Sequence, residues 1–182
     1  MLAAETAEEF GYDTVVFVPS FIPPHKTLQG DASATERQEM VTLALAGSRP
    51  SGQAGKPRTT FIVDGCEVDR GGVSYTVDTL DVLAGRYSPE GKPALVIGDD
   101  LASGFHTWKD PDGILDRADV IVARRTGVRV VPGFEHRQAH NTLLPVSSSD
   151  IRQRIAGGRP WRWLVPEAVA AYVESHGLYR TA

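Results

Sequence analysis

The sequence predicts an α/β protein built on a doubly wound parallel sheet, and three observations carry that expectation. Short, uniformly apolar runs rich in β-branched residues recur at 14–19, 94–98 and 120–123, the pattern of strands covered on both faces. Segments with apolar residues at helical spacing alternate with these runs, and such alternation selects parallel strands joined by right-handed crossovers. Polar clusters follow the runs, where sheets of this kind bind their ligands.

Residues 1–11 read as the end of a helix without a start signal, with Leu2, Ala3, Thr6, Ala7 and Phe10 at helical spacing and Gly11 as the stop. Thr14 to Pro19 is the first strand. A loop from Ser20 to Ala34 carries Pro23-Pro24-His25-Lys26, and Met40, Val41, Ala44 and Leu45 mark the inner face of a helix from about Ala34 to Ala46. Gly47 through Pro57 has the Gly, Pro and Ser content of a surface loop. Thr59 to Val63 is the next strand, with a continuation towards Val68, and Val77, Leu80, Ala84 and Tyr87 give a second amphipathic helix.

Ala94 to Gly98 is a strand followed at once by Asp99-Asp100, and Val120 to Ala123 is another followed by Arg124-Arg125. Residues 126–141 show no period. Leu143 to Val146 is the candidate last strand, leading into a helix stopped by Gly157-Gly158, and Pro166 opens a final helix with Val169, Tyr172 and Val173 on one face and Gly177 as its stop.

At 182 residues and 41% hydrophobic composition, the chain suits a single domain over 1–182 with a sizeable core. A net charge of −4 with Lys and Arg spread along the chain argues against a nucleic-acid groove, so small molecules are the expected partners. Cys66 is the only cysteine, which excludes an internal disulfide and a cysteine-rich zinc site, and nothing around it suggests an activated thiolate. The acidic, alanine-rich residues 1–10 lack the pattern of a secretory signal and no apolar run is long enough to span a bilayer, so a cytoplasmic location is expected.

Ser147-Ser148-Ser149-Asp150-Ile151-Arg152 concentrates hydroxyls and a cation where an extended segment turns into a helix. The first N–H groups of a helix lack intrahelical acceptors and carry partial positive charge, which suits phosphate. Arg152 in a first turn opposes the dipole and needs another reason for its place. Ser147-x-x-Asp150 also fits ordinary capping, and the two roles are compatible. His136 and His140, four apart, could share a helix face but have no carboxylate motif beside them, and no metal site is expected. Neither a Gly-x-Gly-x-x-Gly nor a Walker-type loop occurs, which disfavours an ordinary dinucleotide oxidoreductase or P-loop kinase.

Ile22-Pro23-Pro24-His25-Lys26, Ser74-Tyr75-Thr76-Val77-Asp78-Thr79-Leu80, Ile97-Gly98-Asp99-Asp100 with Thr107-Trp108, Arg124-Arg125, the Ser147–Arg152 turn, Leu164-Val165-Pro166 and Gly177-Leu178-Tyr179, in this order and spacing, resemble the bacterial nicotinate-nucleotide adenylyltransferases, of the nucleotidyltransferase superfamily. The resemblance covers nearly the whole chain and is weakest at 127–141. It implies a Rossmann-like nucleotidyltransferase fold and transfer of the adenylyl group of ATP, with Mg²⁺, to nicotinic acid mononucleotide, giving nicotinic acid adenine dinucleotide and pyrophosphate without a covalent enzyme intermediate.

Carried over residue by residue, the resemblance places Ser147, Ser148 and Arg152 on the ATP phosphates, with Arg152 compensating leaving-group charge. Asp100 goes to the adenosine end, and Arg124 and Arg125 near the adenine or phosphates. His25 and Lys26 go to the mononucleotide phosphate, Thr76 near the pyridine carboxylate and Trp108 stacked on the ring. Plainer readings stand beside these: a solvated Pro-Pro turn for His25 and Lys26, a strand-end turn for Asp100, core packing for Trp108, and surface ion pairs for the arginines.

The family's first strand ends in a Gly-x-Phe-x-Pro-x-His-x-Gly-His motif that this sequence lacks, its five histidines being His25, His106, His136, His140 and His176. The expectation is therefore a sheet without its first, central strand, and Met1 as an internal methionine of a longer product. Two other functions remain open: a catalytically impaired nucleotide-binding fragment, and an adenylyltransferase for another phosphorylated acceptor such as phosphopantetheine. The sequence also leaves homo-oligomer formation open.

Overall fold

A computed structural model describes residues 1–24, 32–47, 59–126 and 132–180. In chain order the elements are α1 (Leu2–Phe10), β1 (Thr14–Phe17), α2 (Ala34–Ala46), β2 (Thr60–Val63), α3 (Cys66–Arg70), α4 (Thr76–Tyr87), β3 (Ala94–Gly98), α5 (Asp99–Ala102), α6 (Pro111–Arg117), β4 (Asp119–Ala123), β5 (Arg137–Gln138), α7 (Ser148–Ala156) and α8 (Glu167–Ser175). The chain divides into two compact units, Met1–Asp13 with Ser74–Leu144, and Thr14–Val73 with Pro145–Ala182. The fold is α/β, and all strand pairing among the described residues is parallel.

The unit containing α1 holds a sheet of order β3-β4-β5. Its middle strand β4 is paired on both sides, and Val120, Ile121, Val122 and Ala123 are buried. Successive side chains of a strand point to opposite faces, so β4 serves two cores at once. Val120 and Val122 join Val77 and Leu80 of α4, Phe105 and Ile114 on one face. On the other, Ile121 and Ala123 join Ala139, Phe10 and Tyr12. Helical cover on both faces is what made the run so uniformly apolar.

Gly11 takes φ 76°, the left-handed conformation that lets the Tyr12 N–H reach back to the Ala7 carbonyl at 2.9 Å. From α1, the Glu5 carboxylate accepts the Thr142 N–H at 2.9 Å and its hydroxyl at 3.0 Å, and Glu9 accepts the His140 N–H at 2.9 Å. The His140 ring and N–H hold the Glu9 carboxyl below its ordinary value.

The other unit holds the pair β1-β2, in register from Thr14↔Thr60 to Phe17↔Val63. α2 is opened by a full capping box: the Ser33 hydroxyl accepts the Glu36 N–H at 3.2 Å, and Glu36 accepts the Ser33 N–H at 2.7 Å. Val169 and Val173 of α8, with Leu178, pack against Met40, Leu43 and Ala44 of α2 and against Ile155 and Trp161.

Several expectations are corrected. β2 does not continue to Val68, because the Asp64 carboxylate accepts the Cys66 N–H at 2.9 Å and turns the chain into α3. Leu143–Val146 is not a strand, and the third strand falls instead at Arg137–Gln138, inside the stretch without a period. The cause is local, since Glu9 and Glu5 take the N–H groups of His140 and Thr142 and draw the backbone off the ladder. β1, read as covered on both faces, is half-buried with Thr14 exposed and, among the described residues, is paired only with β2. His136 and His140 do not share a helix, because residues 132–144 contain none. The surface loop read at 47–57 lies, beyond Gly47, outside the described residues.

Because Ile121 is wholly inaccessible between two flanking strands, Ile121→Ala is expected to cost about 2–5 kcal/mol, measured as a lowered midpoint in urea unfolding.

Candidate functional site

The parallel register of β3 and β4 pairs Gly98 with Ala123, so both strands end at the same level. Asp99-Asp100 and Arg124-Arg125 therefore leave the sheet side by side. Asp100 Oδ2 accepts from Arg125 Nη1 at 3.1 Å, an ion pair between partly exposed side chains. A Cβ on Gly98 would lie 2.2 Å from Asp100 Oδ1, so only glycine leaves that carboxylate room to turn towards Arg125. Arg124 is exposed, and its main chain is tied to the Asn141 side chain: Oδ1 accepts its N–H at 2.8 Å and Nδ2 donates to its carbonyl at 2.9 Å.

Asp99 differs from its neighbour. It is 3% exposed and accepts the Thr126 N–H at 3.0 and 3.3 Å. Burial pushes its carboxyl up, but hydrogen bonds from the Arg125 and Thr126 N–H groups, the Thr126 hydroxyl and the Asp100 N–H outweigh that and hold it below the ordinary range.

Thr76 is the first residue of α4 and is half-buried. Trp108 is also half-buried, packed against the core of its unit with its ring 5.3 Å from that of Phe105 at 44°. The adjacent Lys109 Nζ lies 4.7 Å from the Tyr75 ring centroid and pairs with Asp78 at 2.9 Å. Thr76 and Trp108 thus share a unit with Asp100, Arg124 and Arg125. His25 and Lys26 lie outside the described residues.

In the other unit, Ser147 caps α7, its hydroxyl accepting the Asp150 N–H at 3.1 Å. The helix therefore starts at Ser148, and Arg152 is its fifth residue rather than a member of the first turn. This corrects the dipole argument for Arg152, because the dipole's influence fades within a turn. Arg152 Nη2 donates to Ser149 Oγ at 3.3 Å, while Asp150 accepts from Arg154 at 2.8 Å, so neutralising the one acid of the turn falls to Arg154. Ser148 and Arg152 line a cavity of about 540 Å³ with Arg37 and mostly apolar side chains, including Met40, Ile151 and Val169. Arg37 donates to the carbonyls of Ser20 and Phe21 at 2.7 and 2.9 Å, which ties the segment after β1 to α2.

The other candidates are structural. Cys66 is buried, and burial, reinforced by a hydrogen bond to Asp64 and that residue's charge, pushes its thiol up to about 11. His136 contacts the Phe134 carbonyl at 2.9 Å, and His140 pairs with Glu9. Among the described residues no three His, Cys, Asp or Glu side chains cluster as metal ligands, and no helix is long and apolar enough to cross a membrane.

Sequence reasoning missed Asp99, Asn141 and Arg37. Asp99 carried no signal, because the two acids of the Asp99-Asp100 pair look alike in the sequence and only the structure buries one of them. Asn141 had none, because it lies in the stretch without a period.

Comparison with known proteins gives a family model, Cytidylyltransferase-like, that matches residues 1–154. A protein of Borrelia garinii subsp. bavariensis named "Probable nicotinate-nucleotide adenylyltransferase" is 36% identical over 179 residues, covering 98% of this chain and 85% of its own. One of Treponema pallidum with the same name is 36% identical over 196 residues, covering 100% and 91%. Another, of Salinibacter ruber, is 37% identical over 185 residues, covering 99% and 89%. Among solved structures, the Plasmodium falciparum nicotinic acid mononucleotide adenylyltransferase complexed with NaAD superposes with a TM-score of 0.74 at 13% identity, covering 100% of this chain and 90% of that one. At that identity the likeness shows the fold alone.

Gly98→Ala is expected to displace only the flexible end of Asp100. Stability should change by less than about 1 kcal/mol, while a crystal structure of the variant should show the Asp100–Arg125 pair broken. A thiol held near 11 rather than the ordinary 9.0 carries ~100-fold less thiolate at pH 8. Labelling of Cys66 by a disulfide reagent should be slower by about that factor in native than in urea-unfolded protein.

Proposed function

We propose that this chain, which belongs to the cytidylyltransferase-like family, transfers the adenylyl group of ATP to nicotinic acid mononucleotide, forming nicotinic acid adenine dinucleotide and pyrophosphate in NAD biosynthesis. The observation that carries this reading is identity of 36% to proteins named for that activity, over 98% of the chain. The reaction is an in-line displacement in which the mononucleotide phosphate attacks the α-phosphorus of ATP. The protein's tasks are to hold two anions in line and to stabilise charge as it moves onto pyrophosphate.

The described side chains support those tasks unit by unit. In the α7 unit, the Ser147 hydroxyl accepts the Asp150 N–H and so keeps its own proton to donate. The first N–H groups of α7, the Ser148 hydroxyl and the Arg152 guanidinium suit the phosphates, with Arg152 meeting the leaving-group charge. In the β3–β4 unit, Asp100, Arg124 and Arg125 are assigned to ATP, and Thr76 and Trp108 to the pyridine ring. His25 and Lys26 are assigned to the mononucleotide phosphate. Mg²⁺ enters with ATP as part of the substrate, bound by phosphate oxygens and water as is usual for this ion. Small-molecule substrates and a location in the cytoplasm belong to the same reading. Self-association of the chain is left to measurement.

The 182 residues contain no His-x-Gly-His sequence, which favours a second reading, a chain that binds nucleotide without completing transfer. Binding and turnover therefore have to be read separately. Nicotinic acid mononucleotide should quench tryptophan fluorescence, and ATP with Mg²⁺ should then release pyrophosphate and form the dinucleotide. Quenching without pyrophosphate establishes the binding-only reading, and turnover of phosphopantetheine in place of the mononucleotide overturns the choice of acceptor.

Arg152→Ala is expected to lower kcat by about 10²-fold or more with a smaller change in KM. A steady-state rate equal to wild type would remove Arg152 from its assigned role.

A further inference from the structure

We propose that Asp99 and Asn141 are positioning residues for ATP: two buried side chains that fix the main chain from Arg124 to Thr126 and thereby aim the Arg125 guanidinium. The proposal rests on the assignment of Asp100, Arg124 and Arg125 to ATP given above.

The geometry is specific. Ala139 ends the ladder beside β4, its N–H bonding the Val122 carbonyl at 2.9 Å. Two residues later the Asn141 side chain replaces a strand: its amide meets both the N–H and the carbonyl of Arg124, at 2.8 and 2.9 Å, and donates again to the Thr142 carbonyl at 3.2 Å. Asn141 is 3% exposed, so its polar atoms serve the protein interior and none is left for water.

From the neighbouring strand end, Asp99 grips the Thr126 N–H with both oxygens, at 3.0 and 3.3 Å. Arg124 and Thr126 are thus tied from two sides, which fixes where the Arg125 side chain leaves the main chain. Its guanidinium meets Asp100 at 3.1 Å.

A carboxylate buried at this depth is costly unless its hydrogen bonds are complete. Here it is spent on a main-chain turn that a neutral asparagine or serine could also have closed. A charged acceptor makes the stronger, more directional bond, and the residue it immobilises is a cation proposed to face phosphate or adenine. Ending a strand would require neither the charge nor the second clamp.

The test uses the 182-residue protein, with affinities for Mg·ATP and for nicotinic acid mononucleotide measured separately by calorimetry, and circular dichroism reporting the fold. Asp99→Ala and Asn141→Leu are each expected to weaken ATP binding about tenfold and leave mononucleotide binding unchanged, with Asp99→Asn recovering most of the loss. In an Arg125→Ala background, Asp99→Ala should weaken ATP no further, because the group it aims is gone. Equal weakening of both ligands, unchanged ATP affinity, or a full effect of Asp99→Ala without Arg125 would each overturn the proposal. If Asp99→Ala does not fold, Asp99→Asn carries the test: a smaller, ATP-selective loss supports the proposal and no loss overturns it. Wild-type protein that binds ATP but forms no dinucleotide defeats the functional reading and leaves the positioning roles standing, whereas failure to bind ATP defeats the positioning roles.

Discussion

The pairing of β3 with β4 is the constraint on which the rest of its unit depends. Parallel strands in register end at one level, so Gly98↔Ala123 sets the Asp99-Asp100 and Arg124-Arg125 pairs next to each other without any loop having to bring them there. The same pairing makes β4 the interior strand of its sheet, whose alternate side chains anchor two separate cores. Scaffold and charge cluster are therefore one object. A change of register by one residue would reverse the faces of β4 and separate the charged pairs together.

At the start of α7 the same economy appears in a different form. Ser147 closes the helix by accepting one N–H, and a hydroxyl that accepts can still donate. Capping and phosphate binding are therefore not competing descriptions of this turn. Arg154 takes up the charge of Asp150, which leaves Arg152 with only the Ser149 hydroxyl as its described partner. The pairing of Asp150 is what keeps the turn net attractive to an anion.

Much of this was legible in the sequence, for identifiable reasons. α2 has the predicted bounds of Ala34 to Ala46, because Ser33 and Glu36 form a capping box and Gly47 follows. β4 announced itself through uniform apolarity, which two-sided burial demands, whereas β3 shows the same apolarity with Val96 exposed, so its cover on both faces is not realised. Reading failed where side chains rather than periodicity set the backbone path. β5 is two residues long and polar, and Leu143–Val146 has the composition of a strand but lies beyond the point where Glu5 and Glu9 pull the chain away. Val68 was drawn into a strand by its apolarity, although Asp64 had already turned the chain. Among the site residues, Asp100, Arg124, Arg125 and the serine turn were visible as polar clusters after apolar runs. Asp99 and Asn141 were not, because burial and main-chain partners leave no pattern in a single sequence.

The central claim is that the α-phosphorus of ATP moves to a mononucleotide phosphate, and the fate of that atom tests it most directly. With nicotinic acid mononucleotide, Mg²⁺ and ATP labelled with ³²P at the α position, the account predicts that label appears in nicotinic acid adenine dinucleotide. Label at the γ position should appear in pyrophosphate. Recovery of the α label in ADP, or in AMP without formation of the dinucleotide, would contradict it.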